Sequence, residues 1–257
     1  MSRILITGSS DGLGMMAARL LVADGHRVVL HGRNAQRAAD ARAAVPGAES
    51  ALVADLSSIA AMKELAEQAN ASGAFDAVIH NAALGYREAQ RVETVDGLPQ
   101  LFAVNALAPY VLTALIARPA RLVYISSGLH RSGDTSLDDL VWRQRSWNAL
   151  QAYSDSKLHN LLLALAVARR WPDVRSNALE PGWVATKMGG AGATDDIALG
   201  PRTQAWLAGS DEPAARVTGD YFFHQRPKAM LEAARSAGLQ DRFIAACEAL
   251  SGVALPA

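Results

Sequence analysis

The stretch Arg3-Ile-Leu-Ile-Thr-Gly-Ser-Ser-Asp-Gly-Leu-Gly14 joins an apolar run to three closely spaced glycines, and residues 15–22 continue it with helical apolar spacing. This order predicts a strand, a tight turn and a helix, which leaves free backbone N–H groups at a helix N-terminus. Gly8 suits the tight turn, Gly12 allows a phosphate to approach the backbone, and Gly14 allows the helix to pack closely on the strand. We therefore predict a pyrophosphate-binding turn here rather than a merely structural one.

Composition limits the classes of protein to which the chain can belong. Its 257 residues are 50% hydrophobic and 19% charged, which suits one sizeable α/β domain over residues 1–257. The formal net charge of +0 gives no attraction to nucleic acid or to anionic membranes, so neither is expected as a partner. The chain begins almost directly with an apolar strand and has no apolar run near ~18 residues, so we expect no signal peptide and no membrane span.

The cysteine and histidine content of the chain bears on disulfides and metal sites. Cys247 is the one cysteine, so no internal disulfide can form, and a reducing, cytoplasmic location is expected. No Cys/His group has the spacing of a zinc site, and we predict no metal.

Apolar runs alternate with helical stretches along the whole chain, which predicts right-handed crossovers and a doubly wound, Rossmann-type parallel sheet with helices on both faces. About seven strands are expected, at residues 3–7, 27–31, 51–54, 75–80, 121–125, 173–179 and 218–224. Helices are expected at residues 15–22, 35–44, 60–71, 94–117, 153–167, 201–209, 228–234 and 240–250. Two further segments are interpreted as a surface excursion, residues 128–152, and a mobile lid over the substrate, residues 187–209.

The residues after the second strand bear on the choice of cofactor. An NAD-selective fold places an acid about 20 residues after the glycine turn, and here Gly32 occupies that place. Arg33 follows, and its guanidinium matches a 2′-phosphate, so NADP(H) is predicted in preference to NAD(H). The alternative is that Arg33 is an ordinary solvated residue before the helix at residues 35–44.

Polar and small residues follow the other strands at their carboxyl ends, where doubly wound sheets bind ligands. Asp55 can accept from an adenine amine or cap the next helix, and Thr186 can bond a ligand amide or cap a helix. Asn81-Ala-Ala83 suits close passage of the chain along a ribose or nicotinamide. Asn105 is a lone amide among apolar residues; Pro109 frees its carbonyl and can kink the helix, although an Asn that satisfies core backbone is the plainer interpretation.

Tyr153 and Lys157 lie four residues apart on a predicted helix, so the phenol and the ammonium share one face. A fixed cation favours the phenolate and lowers the pKa of the tyrosine. The pair can therefore exchange a proton, although such pairs also occur by chance on surface helices.

Together these residues resemble the short-chain dehydrogenase/reductase family over essentially the whole chain, and its retinol dehydrogenase-like and WW-domain-oxidoreductase-like branch in particular. The matching positions are Thr7 to Gly14, Asp55-Leu56, Asn81-Ala82, Asn105, Ser126-Ser127, Tyr153, Lys157, Pro181-Gly182 and Thr186. Ala83 departs from the family, which usually has glycine there.

The resemblance implies a role for each matching residue. Tyr153 is the implied general acid/base, Lys157 lowers its pKa and binds the nicotinamide ribose, and Ser127 bonds the substrate oxygen. Asn105, through its backbone, holds a water that relays protons to Lys157. The implied cofactor-binding set is Gly8, Ser10, Gly12, Leu13, Gly14, Arg33, Asp55, Leu56, Asn81, Ala82, Ala83, Tyr153, Lys157, Pro181, Gly182, Val184 and Thr186.

An NADP-dependent oxidoreductase that acts on an alcohol or a carbonyl is the expected function. A hydrophobic small molecule is the expected substrate, because mostly apolar residues are expected to face it: Tyr86, Leu129, His130, Trp183 and Met188. The family commonly forms homodimers or homotetramers. The alternatives are a non-catalytic NADP-binding sensor of the same fold, and an epimerase or dehydratase, which usually carries a larger C-terminal substrate domain.

Overall fold

A computed structural model describes residues 1–257 as one sheet flanked by helices. The strands are β1 (Arg3–Ile6), β2 (Arg27–Gly32), β3 (Ser50–Val53), β4 (Ala77–His80), β5 (Arg121–Ile125), β6 (Arg175–Glu180), β7 (Tyr221–Phe223) and β8 (Arg226–Pro227). The α-helices are α1 (Gly12–Ala23), α2 (Ala35–Ala44), α3 (Ile59–Ala71), α4 (Gln100–Phe102), α5 (Ala108–Leu115), α6 (Ala149–Arg170), α7 (Arg202–Gly209) and α8 (Ala237–Ser251). Short 3-10 helices cover Gly128–Ser132, Pro213–Ala215 and Glu232–Arg235.

The sheet has the order β3-β2-β1-β4-β5-β6-β7-β8, and every pairing is parallel except that of β7 with β8. The predicted fold class is therefore confirmed. The strand order reverses between β1 and β4, and ligands of open α/β sheets bind in the crevice at such a reversal. The carboxyl ends of β1 and β4 carry the glycine turn and Asn81, which therefore lie at this crevice.

Residues that alternate along each strand fill two cores, one on each face of the sheet. Leu5 and Val78 belong to the larger cluster, of 44 buried residues, whereas their neighbours Ile4 and Ile79 belong to the smaller, of 20. Because both faces are covered, the central strands β1, β4 and β5 are buried along their whole length and mostly apolar, whereas β6 begins with Arg175, Ser176 and Asn177.

β8 is an addition to the seven strands that the sequence predicts. It spans two residues and turns back on β7 through His224 and Gln225, both in the left-handed region at φ 47° and 62°. Glycine or asparagine usually occupies such positions, so the turn carries none of the usual sequence signal. That is why the pattern did not reveal it.

Several predicted boundaries were wrong. The helix expected at residues 94–117 begins only at Gln100, because Glu93 and Pro99 pair across a turn, and it ends at Leu115. The helix expected at 228–234 is only the 3-10 turn Glu232–Arg235, and the sixth strand begins at Arg175 rather than at residue 173. The first turn of α6 takes residues 149–152 from the predicted excursion.

None of the helices combines the length and the apolar character that a membrane crossing requires.

Four histidines are buried, and burial lowers the pKa of each: to about 4 for His31, about 3 for His80 and about 4 for His159, and in the same direction for His130. The folded chain therefore holds them neutral at a pH where the unfolded chain, with pKa values of about 6.5, already binds protons. Since the unfolded state binds more protons, this contribution to stability is complete above pH ~6.5 and is lost as pH falls from there toward the folded values.

We predict that the free energy of unfolding falls between pH 6.5 and 4.5 with a slope of about 1.4 kcal/mol per pH unit for each such histidine. Urea unfolding at several pH values measures the slope. His159 touches the rings of Phe102 and Phe243 and has no hydrogen bond at Nδ1, so His159→Phe is expected to reduce the slope by one histidine. Stability that does not change between pH 6.5 and 4.5 would contradict the prediction.

Candidate active site

The glycine turn is held against the end of β4 by a closed set of hydrogen bonds. Asn81 donates through Nδ2 to the carbonyls of Thr7 (3.0 Å) and Gly8 (2.9 Å), and the Thr7 hydroxyl accepts from the N–H groups of Asn81 and Ala82. A Cβ on Gly8 would lie 2.6 Å from the Cα of Ala82. The sequence predicted both partners of this contact, and the structure brings them together.

His31, for which the sequence predicted no role, fixes the turn from the other side. Its Nδ1 accepts the N–H of Gly8 at 3.0 Å, and its Nε2 lies 3.0 Å from the carbonyl of Ala54. The carbonyl can only accept, so the ring carries its proton on Nε2. The low pKa of this ring, about 4, keeps Nδ1 free to accept at neutral pH.

The turn leaves room for a phosphate. Gly12 has φ +54°, and a Cβ built there meets no atom within 4 Å, so the space above it is open. Asp11, the N-cap residue of α1, makes no side-chain cap bond, which leaves the first-turn N–H groups of α1 without a side-chain partner. The residues present therefore fit the pyrophosphate of a dinucleotide.

Two arginines, Arg33 and Arg37, follow β2. Arg33 is exposed directly after β2. Arg37, on the first turn of α2, donates to the hydroxyl of Ser10 at 2.9 Å and forms an ion pair of 2.7 Å with Asp11. Arg37 was not predicted from the sequence; its position four residues after Arg33, on the same side of the second strand, was the available signal.

The remaining residues predicted to bind cofactor lie in loops, in turns or in the core. Asp55 accepts the N–H of Ser57, and Ser58 rather than Asp55 caps α3, so the capping alternative for Asp55 was wrong. Leu56 is buried in the larger core, and Thr186 accepts the N–H of Gly189 within a turn rather than at a helix. Pro181, Gly182, Val184, Leu13 and Ala83 lie in the segments that flank the crevice. Their contacts with a cofactor stay predictions.

Asn105 lies in a π-helical turn, Ala103–Leu107, between α4 and α5. Its side chain accepts the N–H of Leu84 at 2.7 Å and donates to the Leu84 carbonyl at 3.0 Å and to Ser156 Oγ at 3.2 Å. The side chain thus satisfies buried backbone, as the plainer interpretation held, and ties the loop after β4 to α6. Pro109 has no N–H, so the Asn105 carbonyl lacks its usual helical donor.

Lys157 joins α6 to the carboxyl end of β5. The Nζ donates to the carbonyl of Ile125 at 3.1 Å, and the carbonyl of Lys157 accepts from the hydroxyl of Ser126 at 2.8 Å. The side chain is 2% exposed, and burial lowers the pKa of its ammonium to about 8. A lysine in this state titrates near neutral pH.

Tyr153 lies one turn before Lys157, and the Lys157 Nζ is 5.2 Å from the centre of its ring. The pKa of Tyr153 is raised, first by burial and then by Tyr86, whereas the neighbouring side chain of Ser127 lowers it. The expected lowering by Lys157 is absent: burial of the phenol has the largest effect on this pKa, and Lys157 is not among the groups that shift it. Tyr153, Ser127 and Lys157 nevertheless meet at one place.

Apolar side chains cover the Tyr153 hydroxyl. Tyr86 packs edge-on against the Tyr153 ring with centroids 5.3 Å apart, and the Met188 sulfur lies 4.0 Å from the hydroxyl. Leu101 and Trp142 complete the buried cluster around this ring. The Met188 side chain therefore lies against the Tyr153 hydroxyl.

The excursion, residues 133–148 as the structure delimits it, is braced against α6. Asp155, buried on α6, accepts from Arg145 at 2.6 Å and from the N–H of Asp134 at 2.9 Å. Arg145 also lies over the ring of Trp142 at 3.7 Å, and Trp142 packs edge-on against Trp147. These contacts hold the segment against α6, and its Trp142 packs in the same cluster as Tyr153.

Two of the residues expected to face substrate make contacts that the sequence did not predict. Trp183 is 49% exposed and donates through Nε1 to the Gly189 carbonyl within the predicted lid. His130 is 0% exposed, and its Nδ1 lies 2.6 Å from the carbonyl of Ser127.

Comparisons with known proteins agree with this architecture. The sequence model of the short chain dehydrogenase family matches residues 2–136. An uncharacterized oxidoreductase, AN7799, of Emericella nidulans is 45% identical over 100% of this chain and 99% of its own, and the short-chain dehydrogenase chyC of Penicillium rubens is 44% identical over 100% of both. Human retinol dehydrogenase 14 is 33% identical over 72% of this chain and 62% of its own.

Solved structures give the same result. A crystal structure of an uncharacterized protein from Mycobacterium paratuberculosis covers 100% of this chain and 96% of its own, with a TM-score of 0.86 and 27% identity. A short chain dehydrogenase from Shigella flexneri, solved in complex with NADP, covers 87% of this chain and 97% of its own, with a TM-score of 0.65 and 26% identity. The chain belongs to the short-chain dehydrogenase family of oxidoreductases and to its retinol dehydrogenase-like branch.

Proposed function

We propose that this chain is an NADP-dependent oxidoreductase that transfers a hydride between the nicotinamide and a hydrophobic alcohol or carbonyl. One observation carries the proposal: a phenol, a hydroxyl and an ammonium, those of Tyr153, Ser127 and Lys157, lie together at the carboxyl edge of the sheet. The glycine turn stands at the same edge, where the strand order reverses.

The three side chains have different roles at the substrate oxygen. In the direction of reduction, Ser127 donates a hydrogen bond to that oxygen as negative charge develops, and Tyr153 delivers the proton. Burial keeps the phenol protonated at neutral pH, because it raises the pKa of Tyr153. The bound nicotinamide supplies or accepts the hydride itself.

Lys157 adjusts the proton balance of the site. Its pKa of about 8 makes it a cation that can release a proton near neutral pH. In the direction of oxidation its charge favours the phenolate that must accept the alcohol proton. The Asn105 carbonyl, which lacks the N–H of Pro109, is the proposed holder of a water that passes protons to Lys157.

The surroundings of Tyr153 support a hydrophobic substrate. Tyr86, Trp142 and Met188 pack on or over its ring, with Leu101 and Leu129 beside them. A carbonyl compound with an apolar, ring-sized body replaces these contacts without leaving a buried polar group unpaired. The solved relative complexed with NADP supports the choice of cofactor.

Replacement of Tyr153 tests the proposed chemistry. Tyr153→Phe keeps the ring and removes the proton donor, so we expect turnover to fall by at least ~10² while NADPH binding changes little. Loss of NADPH absorbance across a panel of hydrophobic ketones and aldehydes measures the first, and nicotinamide fluorescence the second. Tyr86→Phe, which removes the neighbouring hydroxyl and keeps its ring, is the matched control. A Tyr153→Phe enzyme with near-native turnover would refute the assignment.

Cofactor preference is tested at the two arginines. We expect Arg33→Ala to weaken NADPH binding by ~10-fold or more and to leave NADH binding nearly unchanged, because only the 2′-phosphate is lost as a partner. Arg37→Ala is expected to weaken the binding of both cofactors, because Arg37 also bonds Ser10 and Asp11 of the glycine turn. Arg42, exposed in the last turn of α2, provides the control Arg42→Ala. Fluorescence titration with both cofactors measures the ratio of the dissociation constants. An Arg33→Ala enzyme with an unchanged ratio would contradict the choice of NADP.

A further inference from the structure

His130 lies three residues after Ser127, on the 3-10 helix Gly128–Ser132, and its ring is fully buried. Its Nδ1 is 2.6 Å from the carbonyl of Ser127, and its Nε2 is 3.1 Å from the backbone nitrogen of Leu231. The ring therefore connects the residue that bears the proposed catalytic hydroxyl to a segment 101 positions away in sequence.

These partners determine where the ring carries its proton. The Ser127 carbonyl can only accept, so Nδ1 must donate; the Leu231 N–H can only donate, so Nε2 must accept. A neutral imidazole with its proton on Nδ1 satisfies both contacts, whereas an imidazolium would lose the bond from Leu231. The geometry thus selects one tautomer and one charge state.

The surroundings of the ring support the neutral state. Burial lowers the pKa of His130, and its edge packs on Tyr221 of β7 with centroids 4.8 Å apart. The charged groups nearest to it are Arg131 on its own helix, Glu180 at the end of β6 and Lys228 after β8, and Glu180 and Lys228 form an ion pair with each other. No unpaired carboxylate is therefore available to stabilise an imidazolium.

We propose that His130 is a positioning residue: its Nδ1–H holds the Ser127 carbonyl and thereby fixes the direction in which the Ser127 hydroxyl points. The proposal rests on the proposed function, because it assumes that this hydroxyl bonds the substrate oxygen.

The two peptide groups that flank Ser127 are both anchored. On the preceding side, the Ser126 N–H donates to the Leu179 carbonyl, and its hydroxyl donates to the Lys157 carbonyl at 2.8 Å. On the following side, the Ser127 carbonyl accepts from the backbone N–H of His130 at 3.0 Å and from its ring. The ring is the one side-chain anchor on that side, so its removal leaves the Ser127 carbonyl held by the backbone N–H of His130 alone.

Three variants separate the two ends of the ring. His130→Asn places an amide N–H near the position of Nδ1 and keeps the donor to Ser127. His130→Gln reaches the position of Nε2 and keeps an acceptor for Leu231, and His130→Phe keeps the ring shape and loses both bonds. We expect kcat to fall ~10-fold or more in the Phe and Gln variants and less than ~3-fold in the Asn variant, with NADPH dissociation constants within ~2-fold of wild type.

Arg131→Ala provides the matched control. Arg131 donates to the Ala229 carbonyl, so it ties the same two segments together without touching Ser127. If His130 acts only by joining these segments, both kinds of variant lower the melting temperature and kcat together. The proposal instead expects Arg131→Ala to lower the melting temperature and keep kcat. A Phe variant with wild-type kcat, or Asn and Phe variants that lose equal activity, would overturn it.

The ring itself gives a readout that does not depend on activity. Two-bond ¹H–¹⁵N correlation spectra of the wild-type chain are expected to show the Nδ1–H tautomer for His130, unchanged between pH 6 and 8. An Nε2–H tautomer or an imidazolium would overturn the proposal. If the wild type turns over none of the carbonyl panel, the proposed function fails, and the tautomer still decides whether His130 holds the Ser127 carbonyl.

Discussion

The arrangement of the site depends on one buried cation. Lys157 is 2% exposed, and the hydrogen bond of its Nζ to the Ile125 carbonyl fastens α6 to the end of β5. An ammonium in such a place costs several kcal/mol of desolvation, and one carbonyl offsets only part of this. The same bond holds the turn of α6 that carries Tyr153 next to the end of β5, which Ser127 follows. The fold therefore gives up some stability in order to hold the site together.

The sequence predicted the sheet well because parallel strands buried on both faces are continuous apolar runs with glycine or polar residues at their carboxyl ends. For the same reason, the sequence placed at the carboxyl edge of the sheet the residues that the structure has there: the glycine turn, Asn81, Ser127 and the Tyr153–Lys157 pair. β8 was missed, because its turn uses His224 and Gln225 in the left-handed region instead of glycine. The start of the helix at Gln100 was misplaced, because a local pairing of Glu93 with Pro99 overrides the helical pattern.

Contacts between residues distant in sequence could not be predicted from the pattern of apolar and polar residues. The role of Asn105 toward Leu84, and the placing of His130 between Ser127 and Leu231, follow from packing and not from spacing. The sequence also predicted a lowered pKa for Tyr153 from its neighbour on the helix. In the folded chain, burial beneath Tyr86 and Met188 has the larger effect, and the pKa is raised. How deeply a side chain is covered is a property of the whole fold.

Transfer of label from the cofactor tests the central claim most directly. The chain is incubated with NADPH that carries deuterium at C4 and with a panel of hydrophobic ketones and aldehydes, and the products are analysed by mass spectrometry. The account predicts an alcohol with deuterium on its carbinol carbon. Tight binding of NADPH without label in any product would contradict it.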